Sequence, residues 1–236
     1  MADEDPVFET TTGPVRVITA ASLFDGHDAA INVMRRLIQS SGAEVIHLGH
    51  DQSAQAVVDC AVQEDAHAIA LTSYQGGHVE YFTYIRQLLD EAGCEHVRIF
   101  AGGGGTITPP EIRTLHQSGI TKVYSPDDGR SMGLMGMIHH LMGLAAEVDL
   151  IDEARLASLD GPVTASDMAK IGLLMTLSES ADDATFKAAV ETCRSSEKDV
   201  PVIGFTGTGG AGKSSLLDEL MLRVQRDNPG KKVCLL

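Results

Sequence analysis

The sequence predicts an α/β protein built on a parallel sheet, with a second unit beginning near its end. Three observations carry this. Short apolar runs alternate five times with segments of helical spacing between residues 15 and 148. The residues able to do chemistry fall in the loops after those runs, not within them. A further apolar run, residues 200–205, leads into Gly207-Thr208-Gly209-Gly210-Ala211-Gly212-Lys213-Ser214.

Residues 1–14 are acidic and polar and read as a disordered tail. Residues 15–21 form the first strand. The first helix, Asp28–Ser40, sets Ile31, Met34, Leu37 and Ile38 on one face and ends at Ser41-Gly42. Residues 44–48 are the second strand, closed by Gly49-His50-Asp51. Ser53 caps a helix through Gln63 whose inner stripe is Ala54, Val57, Val58, Ala61 and Val62. Ala68–Thr72 is the third strand, and residues 79–92 the helix after it. The fourth strand, residues 97–101, runs into four glycines, Gly102 to Gly105. Pro109-Pro110 opens the next helix, where Pro is well tolerated. Residues 121–124 are the fifth strand, followed by a Met-rich helix over roughly 130–147.

Five strand–helix units in succession mean a parallel sheet with helices on both faces. The expected strand order is the flavodoxin-like (Rossmann-like) 2-1-3-4-5, in which ligands bind at the carboxyl ends of the strands. Asp25-Gly26-His27, Ser73 to His78, Gly102 to Gly105 and Ser125 to Gly129 all follow strands and so converge on one rim. The domain reading is a tail over 1–14, a sheet domain over 15–148, a helical linker over 149–199 and the start of a phosphate-loop unit over 200–236. Within the linker, short helices are expected over 166–177 and 183–193, with no chemistry of their own.

Composition narrows the function. The 236 residues are 43% hydrophobic and 22% charged, ordinary for a globular protein. A net charge of −15 disfavours nucleic acid and anionic membrane as partners. Aromatic residues make up 4% of the chain, too few for a base-stacking surface. Cys60, Cys94, Cys193 and Cys234 form no CxxC pair, which suggests reduced thiols. With no apolar run of spanning length and no signal peptide, the expected location is the cytoplasm.

His27, two residues from Asp25 on a loop, can offer one ring nitrogen to a metal while the carboxylate orients the other. Read alone, the same residues also fit an ordinary turn with His27 capping the helix. The G-x-x-x-x-G-K-S run is more specific, because it sits after a strand and before a helix. Backbone amides of Gly207, Gly209, Gly210, Ala211, Gly212 and Ser215 would wrap phosphates, Lys213 would reach the β/γ phosphates and Ser214 would hold magnesium. A full nucleotide-binding domain needs on the order of 100 more residues, so this chain reads as the front of a longer protein. His47 and His50 flank a strand end, and His139-His140 reads as a solvated pair. Met132, Met135, Met137 and Met142 read as core packing. Thr108 breaks any G-x-G-x-x-G pattern after Gly103 and Gly105, against a dinucleotide site. His78 fits either a ligand-facing position or plain surface.

Asp25-x-His27, Thr72-Ser73-Tyr74 and Gly104-Gly105 resemble the D-x-H-x-x-G, S-x-L and G-G signatures of base-off cobalamin-binding domains, found in acyl-CoA mutases and methionine synthase. Ala30 stands in place of the first motif's glycine, and Thr72 and Tyr74 in place of Ser and Leu. The order of parts resembles the fused isobutyryl-CoA mutase family, in which a G-protein chaperone follows the cobalamin domain. The resemblance covers about 15–148 and 200–236. It implies that His27 is the lower axial cobalt ligand, tuned by Asp25, and that Gly26, Ser73, Tyr74, Gly76, Gly77, Gly104, Gly105 and Ser125 surround adenosylcobalamin. It further implies GTP with magnesium at the phosphate loop, an acyl-CoA substrate bound elsewhere, an adenosyltransferase as cofactor donor and a homodimer. Two other classes stay open: a non-catalytic cobalamin sensor or carrier fused to another NTPase, and a receiver or flavodoxin-like domain. The third strand ends in Thr72-Ser73 rather than a phosphorylatable Asp, which weakens the last.

Overall fold

Five parallel strands, each hydrogen-bonded to its neighbours, form the frame. The computed structural model describes residues 6, 8–194, 201–231 and 233, and the chain divides into two units, Met1–Ser195 and Ser196–Leu236. In the first unit a short antiparallel hairpin, β1 (Glu9–Thr10) and β2 (Gly13–Pro14), precedes the sheet. The sheet strands are β3 (Arg16–Ser22), β4 (Glu44–Gln52), β5 (Ala68–Thr72), β6 (Arg98–Gly102) and β7 (Lys122–Tyr124). Their order, β4-β3-β5-β6-β7, is the expected 2-1-3-4-5.

Alternation along each strand decides which face each helix covers. Ile18, Ile69, Leu71 and Ile99 point to one face and pack against α2 (Ala54–Gln63), α3 (His78–Glu91) and α4 (Pro109–Gln117). Val17, Ala68, Ala70 and Phe100 point to the other, under α1 (Asp28–Ser40) and α5 (Pro126–Ala146). Helix α5 starts four residues earlier than its apolar spacing suggests, because Ser125 and Asp128 form a capping box and Pro126 opens the first turn. It breaks at Gly133, whose φ is +68°.

Four expectations are corrected here. The tail is ordered from Phe8 onward where it forms the hairpin, and Phe8 packs on the α1/α5 face with its ring 5.8 Å from that of His139. His139 is therefore half-buried, not solvated. Strand β4 does not stop at residue 48; register shifts opposite Ala20 and Ser22 carry it through Gly49-His50-Asp51. Of the methionines, only Met142 is fully buried, while Met132 and Met135 are exposed because they flank the helix break.

The segment after residue 148 folds onto the sheet domain. It contains α6 (Glu153–Ala157), α7 (Met168–Ser180) and α8 (Asp183–Cys193), with a small core of Leu159, Leu173, Leu177, Ala189 and Cys193. A polar network pins it below the amino ends of the strands. The buried Asp65 carboxylate accepts from Arg155 Nη2 at 2.5 Å and Thr176 Oγ1 at 2.7 Å, and Thr176 accepts in turn from Arg16 at 2.8 Å. Next to it His67 is fully enclosed, its Nδ1 accepting the Arg16 amide at 3.0 Å. Burial, then the Arg16 charge, push its pKa down to about 4, and burial with Arg155 does the same to His96.

The second unit contains α9 (Lys213–Asp227). The strand expected over residues 200–205 is not formed at 201–205, and residue 200 lies outside the described residues. A strand exists only by pairing, and the described part of this unit offers no second strand; Val202 and Ile203 are 93% and 71% exposed. Residues 232–236 read from the sequence as the start of a further strand; of these only residue 233 is described, without regular structure. No helix among the described residues is long and apolar enough to cross a membrane.

The rim loops approach closely at one point. A Cβ on Gly103 would lie 2.0 Å from the Ser73 carbonyl oxygen and 3.0 Å from Ile107, whereas one on Gly105 would meet nothing within 4 Å. Gly103→Ala should therefore cost about 1–3 kcal/mol, and Gly105→Ala no more than about 0.5 kcal/mol, in chemical denaturation. The histidines make a second prediction. The unfolded chain takes up their protons near pH 6.5 and the folded chain only near 4, so stability is full above 6.5 and declines as pH falls toward 4. The expected loss is on the order of 3 kcal/mol for His67 alone. Urea midpoints across this range check it, and a flat profile would contradict it.

Candidate functional site at the carboxyl rim of the sheet

Strand β3 delivers its last residue, Ser22, into the interior, where its hydroxyl donates to Ser73 Oγ at 2.8 Å. Three residues on, Asp25 is fully enclosed. Its Oδ1 accepts from the His27 amide at 2.9 Å and His27 Nδ1 at 2.7 Å, and its Oδ2 from the Tyr74 amide at 2.6 Å. Burial by itself would raise the Asp25 pKa; the Tyr74 and His27 hydrogen bonds outweigh it, and the carboxyl sits below its ordinary value. Asp25 is therefore a carboxylate at neutral pH.

The His27 side chain is 67% exposed. Because Asp25 holds Nδ1, the free ring nitrogen is Nε2, the arrangement in which imidazole serves as a ligand. Its ring lies 5.5 Å from that of Tyr74. Among the described residues no group of three or more His, Cys, Asp or Glu side chains could hold a bare metal ion. His27 can thus offer a single ligand to a metal held mainly by something else.

Beside this rim, α1 and α5 stand apart over a crevice of about 60 Å³, lined by Ile31, Met34, Phe100, Met137 and Leu141 and bounded at the strand ends by Thr72, Gly102 and Tyr124. Thr72 is 6% exposed, and its Oγ1 has no hydrogen-bond partner among the described residues. A buried hydroxyl without a partner is costly unless something bonds it. Thr72 thus points to a polar group on an otherwise apolar ligand.

The structure brings most of the expected rim residues together. Asp25, His27, Ser73 and Tyr74 are linked as described, and a Cβ on Gly104, at φ +57°, would lie 3.4 Å from the Tyr74 ring. Gly76 and Gly77 are exposed in the turn before α3, Gly77 at φ +84°. Gly26 is exposed with open space around its Cα. The Ser125 hydroxyl is committed to capping α5, accepting from the Asp128 amide at 3.3 Å. His78 is buried with its Nδ1 on the Gln75 carbonyl at 2.9 Å, so it is neither surface nor ligand-facing. His47 bonds Thr19 at 2.9 Å and His140 bonds the Tyr124 hydroxyl at 3.0 Å. The unpartnered Thr72, the crevice and the tight Gly103 were not foreseen. Nothing in a run of four glycines says which one meets Ser73.

In the second unit the loop turns through Gly210 at φ +74° and Gly212 at φ +81°. Gly207, Gly209 and Ala211 are exposed along it, and Ser214 and Ser215 are exposed in the first turn of α9. Lys213 Nζ donates to the Gly207 and Thr208 carbonyls, each at 2.8 Å.

The B12 binding domain model matches residues 15–128. The fused isobutyryl-CoA mutase of Geobacillus kaustophilus is 48% identical over 229 residues, 94% of this chain and 21% of its own length. That of Cupriavidus metallidurans is 52% identical over 213 residues, 90% of this chain and 19% of its own. The 2-hydroxyisobutanoyl-CoA mutase small subunit of Aquincola tertiaricarbonis is 31% identical over 115 residues, 48% of this chain and 82% of its own. The chain spans about a fifth of the length of the fused relatives. It belongs to the family of B12-binding domains.

Proposed function

We propose that this chain is the cofactor-holding part of an adenosylcobalamin-dependent mutase that interconverts isobutyryl-CoA and n-butyryl-CoA. The observation that carries the reading is the Asp25–His27 pair, with Nδ1 held at 2.7 Å and Nε2 free beside an apolar crevice. A cobalt ion already bound in a corrin ring would need a single ligand from the protein, which His27 would supply. The donor set fits, because Asp25 stays ionised and keeps His27 in the tautomer that presents Nε2. The cofactor supplies radical chemistry for a carbon-skeleton shift when bound.

The chain's own residues bind and orient. The crevice between α1 and α5 suits the displaced nucleotide tail, an aromatic base with polar nitrogens. Thr72 Oγ1 would be available to bond one of those nitrogens, and the unbranched Met34 and Met137 would give way to the ring. Gly76, Gly77, Gly104 and Gly105 leave room along the rim for a bulky ligand, and Ser125 closes its far side by fixing α5. In the second unit, amides of Gly207, Gly209, Gly210, Ala211, Gly212 and Ser215 cradle the phosphates of GTP. Lys213 leaves its loop carbonyls for the β/γ phosphates, and Ser214 holds magnesium. GTP hydrolysis there gates cofactor loading from an adenosyltransferase. The acyl-CoA is bound by a domain outside this chain, in a homodimer.

Visible-absorption titration with adenosylcobalamin tests the site. The wild-type chain should bind it with the spectrum of a histidine-coordinated, base-off cofactor, and His27→Ala should lose that coordination. Absence of any spectral change in the wild type would overturn the reading. Thr72→Val keeps the shape and removes the hydroxyl; it should weaken binding about 10-fold, the equivalent of one net hydrogen bond, with His27 still coordinated. Unchanged affinity would remove Thr72 from the site.

A further inference from the structure

We propose that Asp51 and Gln75 are positioning residues, clamping the Phe24 peptide so that the following loop buries Asp25 and turns His27 outward. The inference rests on His27 being the cobalt ligand.

The loop after β3 has to do two opposed things within three residues. Asp25 is fully enclosed, yet His27 is 67% exposed. Ser22 and Asp25 are both buried, whereas in extended chain side chains three apart point opposite ways. The backbone must therefore turn between them, and the Asp25 amide donates back to the Ser22 carbonyl at 3.1 Å. The turn falls at Phe24, whose φ is +63°, a left-handed conformation that residues with a Cβ adopt reluctantly. Packing does not hold Phe24 there, because it is 75% exposed.

Polar contacts hold it from both sides. The Phe24 amide donates to Asp51 Oδ1 at 2.7 Å, and the Phe24 carbonyl accepts from Gln75 Nε2. Asp51 is itself left-handed, at φ +57°, and stands in the irregular end of β4, one residue before Gln52, the partner of Ser22. The two strained residues therefore face each other across one short hydrogen bond. Strain of this kind persists only where surrounding contacts over-determine it, and it concentrates at functional sites. Neither Asp51 nor Gln75 touches His27; each acts through the direction of the chain that carries it.

Adenosylcobalamin titrations of the 236-residue chain test the clamp, with wild type and His27→Ala run alongside. Asp51→Ala and Gln75→Ala should bind about 10-fold to 100-fold more weakly, as is usual on loss of a contact that orients a metal ligand. Their bound spectra should move toward that of His27→Ala, while far-UV circular dichroism stays that of the wild type. Asp51→Asn keeps the Oδ1 acceptor and should behave as wild type. Phe24→Gly placed in the Asp51→Ala background should restore histidine coordination, because glycine takes the left-handed turn without help. A merely structural role would not produce that rescue. Wild-type spectra and affinity for both alanine variants, or no recovery with Phe24→Gly, would overturn the clamp while leaving the cobalamin site intact. If Asp51→Ala loses its fold, Gln75→Ala decides. A wild-type chain that gives no cobalamin spectrum would instead remove the site itself, and the clamp with it.

Discussion

The enclosed carboxylate of Asp25 is the constraint on which the rim depends. A charge without water must be fully hydrogen-bonded, or it costs several kcal/mol (on the order of 3–5 for a broken buried pair). Its donors come from two loops, the Tyr74 amide after β5 and the His27 amide and ring after β3. Separating those loops would orphan the charge, so they move as one piece. The Ser22–Ser73 hydroxyl bond at 2.8 Å, and the approach of Gly103 to the Ser73 carbonyl, tie the loop after β6 to the same block. Three strand ends are thereby held together, and the only exposed imidazole nitrogen of the block faces outward.

The crevice follows from how the middle strand alternates. Toward α2 and α3, β5 presents Ile69 and Leu71; toward α1 and α5 it presents Ala68 and Ala70. Large side chains on one face and small ones on the other leave the first face filled and the second with space between its helices. Phe100 forms one wall of that space from β6, and the break in α5 at Gly133 leaves Met137 as its movable lip. The opposite end of the sheet has a different character. There, Asp65, Arg155, Thr176 and Arg16 lock the helices after residue 148 in place through buried hydrogen bonds. Rigid polar pinning sits at the amino ends, and the yielding apolar gap at the carboxyl ends.

Most of the sheet domain was legible because local and tertiary signals agree. Asp28–Ser40, Ala68–Thr72 and the strand order follow from periodicity, caps and the rules of parallel sheets. Most of the misses share a cause, a partner distant in sequence. Strand β4 runs on because β3 offers a bulged ladder to pair with. Residues 201–205 read as a strand from composition, but an apolar run without a neighbour has no ladder to join. The unpartnered Thr72 hydroxyl becomes visible only once its surroundings are packed. The start of α5 was readable, since Ser125-Pro126-Asp127-Asp128 is a capping signature, and apolar spacing was given too much weight over it.

The departures from the cobalamin signatures fall where the side chain matters least. Tyr74, in place of leucine, serves Asp25 through its backbone amide, which any residue but proline provides, and its ring lies 5.5 Å from that of His27. Thr72 keeps the hydroxyl of the serine it replaces and adds one methyl group at the mouth of an apolar gap. Ala30 stands half-buried in the first turns of α1, where a methyl group in place of hydrogen favours the helix. What the chemistry needs from these loops is a carboxylate with its donors, an outward imidazole and a buried hydroxyl with nothing else to bond. Those three survive every substitution, so the signatures are better read as constraints on backbone donors and hydroxyls than as strings of letters.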